Sequence, residues 1–374
     1  MQQGFTDLFS RYKIFLYVLA FCTQSFFYIV RFIIRPFRER SRNVVVIVLH
    51  RLGDSVFTIP AIRIIEKQFP TKPVKIICYP HNAPLYQISF PEKNIVSLPI
   101  NYFRFDGRIA TSDARRILKN LTPEIIFDLC EGMTSASLIF NSRARDIIGF
   151  NRVLFKSIYT HYSPKDEKPH LTKMYIKALQ PYFNISDNIP SEVFLIQSNH
   201  SDRILIHPFA GWKAKEWNFN KYIALGKHLS ENYNTDFVIP ENMKNTSEAA
   251  DIRDAGFNVI ETVTTNELIS ELKETRLLIS NDSGPIYIAG LLGIPTFTIF
   301  GPTNPLFHNL GGNYHKFIQK KLDCSPSENE KQCFTKGGRV GCPSFECMHQ
   351  LSLNEVTNKV EQFILDLKFN DLSK

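Results

Sequence analysis

The sequence predicts an α/β protein with two Rossmann-like, doubly wound domains, an interdomain cleft and an apolar helix at the amino terminus. Short apolar runs rich in Val and Ile alternate with stretches of helical character. This alternation occurs twice, on either side of an irregular, proline-containing region at 151–200. Near-continuous apolar strands separated by helices are typical of parallel sheets covered on both faces. A chain of 374 residues is long enough for two domains with cores of their own.

Each of the two series contributes five predicted strands. The first series predicts strands at Val44–Leu49, Val74–Cys78, Ile95–Leu98, Ile125–Leu129 and Asp146–Phe150. The second predicts strands at Arg203–His207, Asp236–Ile239, Asn258–Ile260, Leu277–Ser280 and Thr296–Phe300, with helices at Asn220–Asn232, Asn245–Gly256 and Thr265–Glu274. We therefore expect a first domain over 43–185 and a second over 186–350.

The carboxyl-terminal part is predicted as a loop followed by a helix. Residues 312–351 are rich in Cys, Gly and Pro, a composition typical of loops. An amphipathic helix then runs from Ser352 to Phe369, and Glu355 follows Ser352 at the spacing of a capping box. We expect this last segment, 351–374, to pack back on the first domain.

The amino-terminal 42 residues are apolar and basic. Residues 1–43 carry seven Lys and Arg against two acids, which gives +5 of the total net charge of +8. The rest of the chain is therefore only weakly basic, and we expect no nucleic-acid partner. Seventeen uncharged residues between Lys13 and Arg31 lie at the short limit for a membrane-spanning helix. No small-residue cleavage site precedes the arginines, so we expect no removable signal peptide. We expect membrane association, through a single anchor with cytoplasmic arginines or through an interfacial helix. An apolar helix packed on the protein itself is the alternative.

Four of the seven cysteines lie close together late in the chain. They are spaced C-x8-C-x8-C-x4-C and include no C-x-x-C pair, so they indicate a structural zinc site only weakly. We expect reduced thiols in a cytoplasmic loop, with zinc as the alternative. The four are Cys324, Cys333, Cys342 and Cys347.

A first candidate for chemistry follows the first predicted strand. The segment Val44–Pro60 reads as a strand, a turn that contains Arg51 and Gly53, and a helix that opens at Asp54. In doubly wound sheets, ligands bind where the carboxyl ends of strands meet the amino ends of helices. A carboxylate placed there can accept a proton from a substrate hydroxyl. Alternatively, Asp54 is simply the helix N-cap.

A second candidate is the turn 281–284, Asn-Asp-Ser-Gly, which lies between a strand and a helix with Pro285 near its first position. Free backbone N–H groups and the positive helix end suit a pyrophosphate there, and Ser283 can add a hydroxyl donor. Asp282 cannot neutralise phosphate, so we expect it to hold the turn. The alternative is an ordinary capped helix without a ligand.

Two further loops leave strands at the same predicted edge. Gly301 and Thr303 belong to a Gly-Pro-Thr turn, and the loop after His207 carries two lysines, one of which is Lys215. A lysine there can offset the charge of a departing phosphate, although a solvated surface lysine is the alternative. We expect Trp217 to pack in the core.

Several well-known motifs are absent from the sequence. It contains no G-x-x-x-x-G-K-[ST], no G-x-G-x-x-G and no H-E-x-x-H, which disfavours a P-loop nucleotidase and a zinc protease. It also lacks a D-x-D pair that would hold a divalent ion against a nucleotide diphosphate. We therefore expect no metal and no resident cofactor.

Taken together, the two segments resemble glycosyltransferase family 9, the lipopolysaccharide heptosyltransferase family. The resemblance covers roughly residues 43–365 and leaves the amino-terminal segment outside. The matching pieces are Arg51-Leu52-Gly53-Asp54 with Pro60 and Phe69-Pro70, then Asn281-Asp282-Ser283-Gly284-Pro285 with Ala289, Pro295 and Phe300-Gly301-Pro302-Thr303.

The resemblance implies a GT-B architecture with an acceptor domain followed by a nucleotide-sugar domain. It implies inverting, metal-independent transfer of heptose from an ADP-activated donor to a lipid-linked saccharide, the lipopolysaccharide core, on the cytoplasmic side of the bacterial inner membrane. Asp54 matches the general base, beside Arg51 and Gly53 of the acceptor loop. The implied donor-binding residues are Lys215 for phosphate, Glu248 for ribose, and Asp282, Ser283, Gly284, Pro285, Tyr287, Gly301 and Thr303.

One position departs from the pattern of the family. Where the family has Asp-Thr-Gly-x-x-His, this chain has Ser283 and Tyr287. Serine keeps the hydroxyl, whereas tyrosine keeps a donor but changes its reach and charge, so a different donor sugar stays open. Two other functions remain as alternatives. They are a non-catalytic nucleotide-sugar or saccharide-binding protein at the membrane and a sugar-nucleotide epimerase.

Overall fold

The chain forms two units, each built on one parallel sheet. A computed structural model describes residues 18–19, 21–30, 32–33, 43–130, 132–150, 156–163, 170–185, 201–333, 342 and 344–372. The first unit comprises Met1–Asp166 and Thr172–Asn188, and the second comprises Glu167–Leu171 and Ile189–Lys374. The predicted α/β class with two doubly wound domains is confirmed.

The first unit contains a six-stranded parallel sheet in the order β3-β2-β1-β6-β7-β8, and a short antiparallel hairpin, β4-β5. The order reverses beside β1, so the loop after β1 lies at a topological switch point, where such sheets bind ligands. Its elements are β1 Asn43–Ile47, α1 Leu52–Gln68, β2 Val74–Cys78, α2 Ala83–Gln87, β3 Ile95–Ser97, β4 Phe103–Arg104, β5 Ile109–Ala110, α3 Ser112–Asn120, β6 Pro123–Asp128, α4 Met133–Ile139, β7 Asp146–Phe150, β8 His161–Ser163 and, at the boundary between the units, α5 Leu171–Lys177.

The second unit repeats this topology with the order β11-β10-β9-β12-β13-β14, all parallel. The switch point here lies between β9 and β12, the strands that precede Lys215 and Asp282. The elements are β9 Ile204–His207, α6 Phe219–Ser230, β10 Thr235–Pro240, α7 Ser247–Asp254, β11 Val259–Thr262, α8 Thr265–Lys273, β12 Leu277–Asn281, α9 Gly284–Leu291, β13 Thr296–Phe300, α10 Pro305–His308, β14 His315–Gln319, α11 Glu346–His349 and α12 Leu353–Leu372.

In each of the two sheets, one edge strand was not predicted from the sequence. β8 and β14 read His-Tyr-Ser and His-Lys-Phe-Ile-Gln, without the apolar run of a central strand. Among the described strands, each pairs with a neighbour on one side only. Main-chain hydrogen bonds hold these strands, while their side chains stay partly polar. The prediction of a loop throughout 312–351 is therefore wrong for β14 and for the single turn α11.

The carboxyl-terminal helix α12 packs in the second unit, so its predicted placement against the first domain is wrong. Its buried apolar side chains join the core cluster that contains Trp217 and Phe297, and the rings of Phe363 and Phe297 lie 6.3 Å apart. An amphipathic pattern defines which face of a helix is buried but does not name the surface that covers it. The buried residues of α12 are Val356, Val360, Phe363, Ile364 and Leu367.

The start of α12 has the predicted capping box. The backbone N–H of Glu355 donates to Ser352 Oγ at 3.2 Å, and the N–H of Ser352 donates to Glu355 Oε2 at 2.9 Å. Each side chain thus satisfies a backbone donor that the first helical turn leaves without an intrahelical acceptor.

Part of the apolar amino-terminal segment is described and is helical over residues 21–30. Across the described ranges, no helix has both the length and the apolar character needed to cross a bilayer. Residues 14–17 and residue 20 of the predicted apolar helix lie outside the described residues.

The packing of α12 predicts unequal effects for two substitutions in the same helix. Phe363 is 2% exposed, whereas Leu365 is 50% exposed. We expect Phe363→Ala to lower the free energy of unfolding by about 3 kcal/mol, because it removes a buried ring and leaves a cavity. Leu365→Ala is the matched control and should change the free energy by less than about 1 kcal/mol. Denaturant unfolding measures both, and equal effects would contradict this placement of α12.

Candidate functional site

In the second unit, a single buried carboxylate joins three loops at the carboxyl edge of the sheet. The Asp282 side chain is 1% exposed and directly follows β12. Lys215 Nζ and Thr303 Oγ1 each donate to Asp282 Oδ2 at 2.6 Å, and the Tyr287 hydroxyl donates to Oδ1. The loops after β9 and β13 and the helix α9 therefore all meet at this acid, which itself lies in the loop after β12.

The ionised form of Asp282 is stabilised despite its burial. Burial alone raises the pKa of a carboxyl, but the Lys215 ammonium opposes this effect, assisted by His308 and by the hydrogen bonds from Lys215 and Thr303. The net result is an Asp282 pKa well below its usual value. The acid is thus a fixed negative charge whose partners are already in place.

Lys215 keeps capacity for a second partner. Its side chain is 20% exposed, and its ammonium lies 5.8 Å from the centre of the Trp212 ring. An ammonium has three N–H donors, and Asp282 Oδ2 takes one of them. Asp282 therefore orients a lysine that can still donate to an anion.

Asn281 holds the loop that carries Lys215. Its Oδ1 accepts from the Trp217 backbone N–H at 3.0 Å and from the Tyr222 hydroxyl at 2.8 Å, and its Nδ2 donates to the Pro208 carbonyl at 2.7 Å. Trp217 itself is 2% exposed, so its prediction as a core residue is confirmed. The sequence pattern indicates no separate role for Asn281, although its place directly before Asp282 is the available signal.

Gly301 lies where no side chain fits. A Cβ at this position would lie 2.8 Å from Met348 Sδ and 3.2 Å from the Ala214 carbonyl oxygen. The loop after β13 can therefore approach the turn that contains Lys215 as closely as it does. Gln319 Nε2 donates to the carbonyls of Gly301 and Thr303, both at 2.8 Å, and holds this loop from the other side.

The amino end of α9 completes the arrangement. Ser283 is the N-cap, Gly284 and Pro285 are the first two helical residues, and Ser283 makes no side-chain cap. Within the described ranges, the backbone N–H groups of Ser283 and Gly284 have no acceptor. Unpaired N–H groups at the positive end of a helix attract anions.

The Ser283 hydroxyl has a buried partner of its own. Its Oγ lies 3.0 Å from Ser280 Oγ, which in turn lies 3.2 Å from His207 Nδ1. From the sequence, this hydroxyl is expected to donate to a ligand. The structure places it in a buried hydrogen-bonded chain that the sequence did not reveal, in which either serine can be the donor.

Glu248 lies apart from the Asp282 network. It is in the first turn of α7 and accepts a hydrogen bond from Ser247 at 3.1 Å. Its own backbone N–H, then Ser247 and the nearby Lys213 ammonium, lower the pKa of this carboxyl. The structure does not bring it into hydrogen-bond contact with Lys215 or Asp282.

In the first unit, Asp54 is a half-buried acid in the first turn of α1. The helix begins at Leu52, its N-cap is Arg51, and Asp54 is its third residue, so the alternative that Asp54 is the N-cap is wrong. Among the described residues, none donates a hydrogen bond to the Asp54 carboxylate. Its carboxylate oxygens are therefore available to a ligand.

The turn before Asp54 is held by a residue that the sequence analysis missed. Asn82 is fully buried, and its Nδ2 donates to the His50 carbonyl at 2.7 Å and to Ser55 Oγ at 2.9 Å. These contacts tie the end of β1 and the start of α1 to the segment after β2. Asn82 thereby fixes the backbone from which Asp54 projects.

An acid that the sequence pattern did not indicate, Asp128, ends β6 at the same edge. Its Oδ2 accepts from the Tyr159 hydroxyl at 2.7 Å, and its Oδ1 accepts from the Cys130 N–H at 2.9 Å. Burial raises its pKa, although these hydrogen bonds and the nearby His50 oppose that effect. Unlike Asp54, it is fully buried and satisfied.

The late cysteines lie around one cavity of about 370 Å³ in the second unit, behind the loop of Gly301. All four are free thiols. Nowhere in the described part of the chain do three His, Cys, Asp or Glu side chains converge closely enough to hold a metal ion. The cysteines that border this cavity are Cys324, Cys333, Cys342 and Cys347.

Comparison with known proteins gives one consistent family. The model of glycosyltransferase family 9 (heptosyltransferase) matches residues 114–337, which is more than half of the chain. No curated protein sequence matches. A family 9 glycosyltransferase from Veillonella parvula superposes with a TM-score of 0.71 at 19% identity, over 87% of this chain and 98% of that one.

Two solved structures from E. coli share the fold. The ADP-heptose lipopolysaccharide heptosyltransferase II superposes with a TM-score of 0.67 at 15% identity, over 87% of this chain and 99% of that one. The heptosyltransferase WaaC with ADP-2-deoxy-2-fluoro heptose gives 0.63 at 14% identity, over 86% and 99%. At these identities the likeness establishes the fold alone.

The buried chain behind Ser283 predicts a pH dependence of stability. Burial lowers the pKa of His207 to about 4 from its ordinary 6.5. Between these values the unfolded chain binds a proton that the folded protein does not, so stability is full above pH 6.5 and falls as the pH is lowered. From pH 7 to pH 5 this one histidine should cost about 2 kcal/mol.

His207→Asn removes that titration, so its unfolding free energy should fall less steeply from pH 7 to pH 5 than that of the wild type. His315, which burial likewise brings to a pKa of about 4, provides a second site for the same measurement. Denaturant titrations at several values between pH 7 and pH 5 measure the unfolding free energy of each protein. Wild-type and His207→Asn curves that run parallel would contradict it.

Proposed function

Because this chain belongs to glycosyltransferase family 9, the heptosyltransferase family, it is a glycosyltransferase, and we propose that it transfers a sugar with inversion from a nucleotide diphosphate donor to a lipid-linked saccharide. Heptose is the proposed sugar and the lipopolysaccharide core the proposed acceptor. The observation that carries the proposal is the oriented Lys215 beside the open amino end of α9.

The second unit supplies what a departing diphosphate requires. Lys215 has N–H donors beyond the one given to Asp282, and the N–H groups of Ser283 and Gly284 lie at the positive end of α9. Charge accumulates on the diphosphate as the glycosidic bond breaks, and donors fixed in advance stabilise that charge without reorganising. Because Asp282 and Asn281 hold these groups in place, they act on the ligand indirectly.

The first unit supplies the base. The Asp54 carboxylate takes the proton of the acceptor hydroxyl while the hydroxyl oxygen attacks the anomeric carbon of the donor. The bond from that carbon to the diphosphate oxygen breaks, and the electron pair leaves with the diphosphate. One displacement of this kind inverts the anomeric configuration.

The proposed reaction uses no metal ion. The sequence lacks the D-x-D pair that would hold a divalent cation against the diphosphate. Lys215 and the α9 amino end are positive groups in the place where a cation would act. We therefore assign the neutralisation of the leaving group to these protein groups.

ADP is the proposed nucleotide, since the related E. coli enzyme is solved with an ADP-linked fluoro heptose. Tyr287 gives a specific reason to consider another donor sugar, because it occupies the position of the family's histidine. Its hydroxyl donates to Asp282 and so is already engaged. A panel of nucleotide diphosphates and their sugars, compared by thermal stabilisation of the protein, identifies the donor, because a ligand that binds the folded state shifts unfolding to higher temperature.

The proposed place of action is the cytoplasmic side of the bacterial inner membrane, reached through the apolar and basic amino-terminal segment as a peripheral contact or a single anchor. A lipid-linked acceptor supports this location, because such an acceptor diffuses in the membrane. The charge of the segment also supports it, since cytoplasmic flanks of membrane segments are rich in Lys and Arg.

Two substitutions should separate the base from the donor site. Asp54→Asn keeps the shape of the side chain but cannot take a proton, so the turnover number should fall by about 10²–10⁴-fold while ADP affinity stays unchanged.

Lys215→Ala should weaken ADP binding by at least about tenfold, because it removes a charge-assisted donor. Calorimetry with ADP and initial rates with the donor identified by the panel measure both effects.

Lys213→Ala is the matched control for Lys215, since Lys213 lies in the same turn but is 75% exposed and pairs with Glu216. It should leave ADP affinity close to that of the wild type. Unchanged turnover in Asp54→Asn would reject Asp54 as the base. ADP binding by the wild type without turnover on any sugar nucleotide and lipid-linked acceptor would instead favour a non-catalytic binding protein.

A further inference from the structure

A basic cavity lies at the edge of the first sheet that is remote from Asp54. It has a volume of about 460 Å³ and opens between the end of α3 and the segment that precedes β7. Among the described residues that line it, four are basic and none is acidic. The four are Arg115, Arg116, Lys119 and Arg143.

For two of these residues, Arg115 and Arg116, the described contacts offset little of the positive charge. Asp113 pairs with Arg116 at 3.1 Å, but both side chains are more than half exposed, and such a pair contributes little. Arg115 donates to the carbonyl oxygens of Ala110 and Ser137, which are neutral. The cavity therefore keeps a positive potential suited to phosphate groups.

Apolar residues of the amino-terminal segment lie directly beside this cavity. Phe26 and Phe27 contact the ring of Phe140, with centroid distances of 6.5 and 6.1 Å. Arg115 of the cavity lies 5.6 Å from the centre of the same ring, and Asn141, the next residue in sequence, is part of the cavity wall. Phe140 thus joins the basic cavity to the apolar segment.

The other side of the apolar segment has no cover among the described residues. Phe21, Tyr28 and Phe32 are 72%, 68% and 70% exposed, and their spacing of seven and four residues places them on one helical face. A stripe of large exposed apolar side chains next to a basic surface is typical of helices that lie in a membrane interface.

The entry of the chain into the first sheet is consistent with this placement. Asn43, the first residue of β1, donates through Nδ2 to the Leu121 carbonyl at 2.6 Å. Thr122, the next residue after Leu121, is part of the cavity wall. The apolar segment, the entry to β1 and the basic cavity are therefore neighbours in the first unit.

We propose that the basic cavity and the exposed side chains of Phe21, Tyr28 and Phe32 form one docking surface for an anionic phospholipid bilayer, in which the cavity binds lipid phosphate groups. The stripe Phe21-Tyr28-Phe32 enters the boundary between headgroups and acyl chains, while Lys119 and Arg143 meet the phosphates. This surface rests on the proposed membrane location but requires neither a donor nor an acceptor saccharide.

Vesicle binding tests the basic half of this surface. The full chain is mixed with phosphatidylcholine vesicles that contain or lack phosphatidylglycerol, and bound protein is measured by sedimentation. Lys119→Gln/Arg143→Gln should weaken binding to the anionic vesicles by on the order of tenfold, and added salt should reduce wild-type binding. The control Lys227→Gln/Lys359→Gln makes the same charge change at exposed positions of the second unit and should bind like the wild type.

The apolar half is tested with Phe21→Ser/Phe32→Ser, which should lose binding to both kinds of vesicle. Thermal unfolding of each variant shows whether it is folded. The proposal is overturned if the wild type does not bind anionic vesicles, or if the cavity variant binds them like the control. Each of these results leaves sugar transfer to a soluble acceptor unaffected, so failure here and failure of the proposed function are distinguishable.

Discussion

The buried ion pair between Asp282 and Lys215 is the interaction on which the rest of the donor site depends. A carboxylate removed from water is costly unless it is paired and hydrogen-bonded. Asp282 meets this requirement with a lysine, a threonine and a tyrosine from three different parts of the second unit. Because each donor is needed to satisfy the same acid, the loops that carry them occupy one arrangement. The open amino end of α9 lies within that arrangement.

Asp282 and Asp54 have different environments, and these environments suit the first acid to a positioning role and the second to proton transfer. Asp282 is buried and accepts three hydrogen bonds, so it is unsuited to take a proton from a substrate but well suited to hold Lys215. Asp54 is half-buried and receives none from the described residues, while Asn82 holds the backbone beneath it. A satisfied acid that positions a cation and an unsatisfied acid that can accept a proton are the two parts that the proposed transfer needs.

The local pattern of apolar and polar residues predicts much of the fold, but it predicts the site only in part. The central strands are apolar because both faces of each sheet are covered, which makes β1 and β12 visible in the sequence. The edge strand β14 lacks that signal, and the amphipathic α12 did not reveal which unit covers it. Residue types at strand ends indicated Asp54 and Asp282, but not that Lys215 would reach Asp282 from 67 positions away. Such contacts depend on the paths of the loops at the carboxyl edge of the sheet, and the periodicity of the sequence does not predict those paths.

A double-mutant cycle on the ion pair tests this account most directly. Asp282→Asn and Lys215→Met are each compared with the double variant by denaturant unfolding. Each single change leaves a partly buried partner unsatisfied, so we expect the double variant to be more stable than the sum of the single effects implies, with a coupling of about 2 kcal/mol or more. Effects that add to within about 0.5 kcal/mol would show that Asp282 does not hold Lys215, and the proposed origin of the donor site would be wrong.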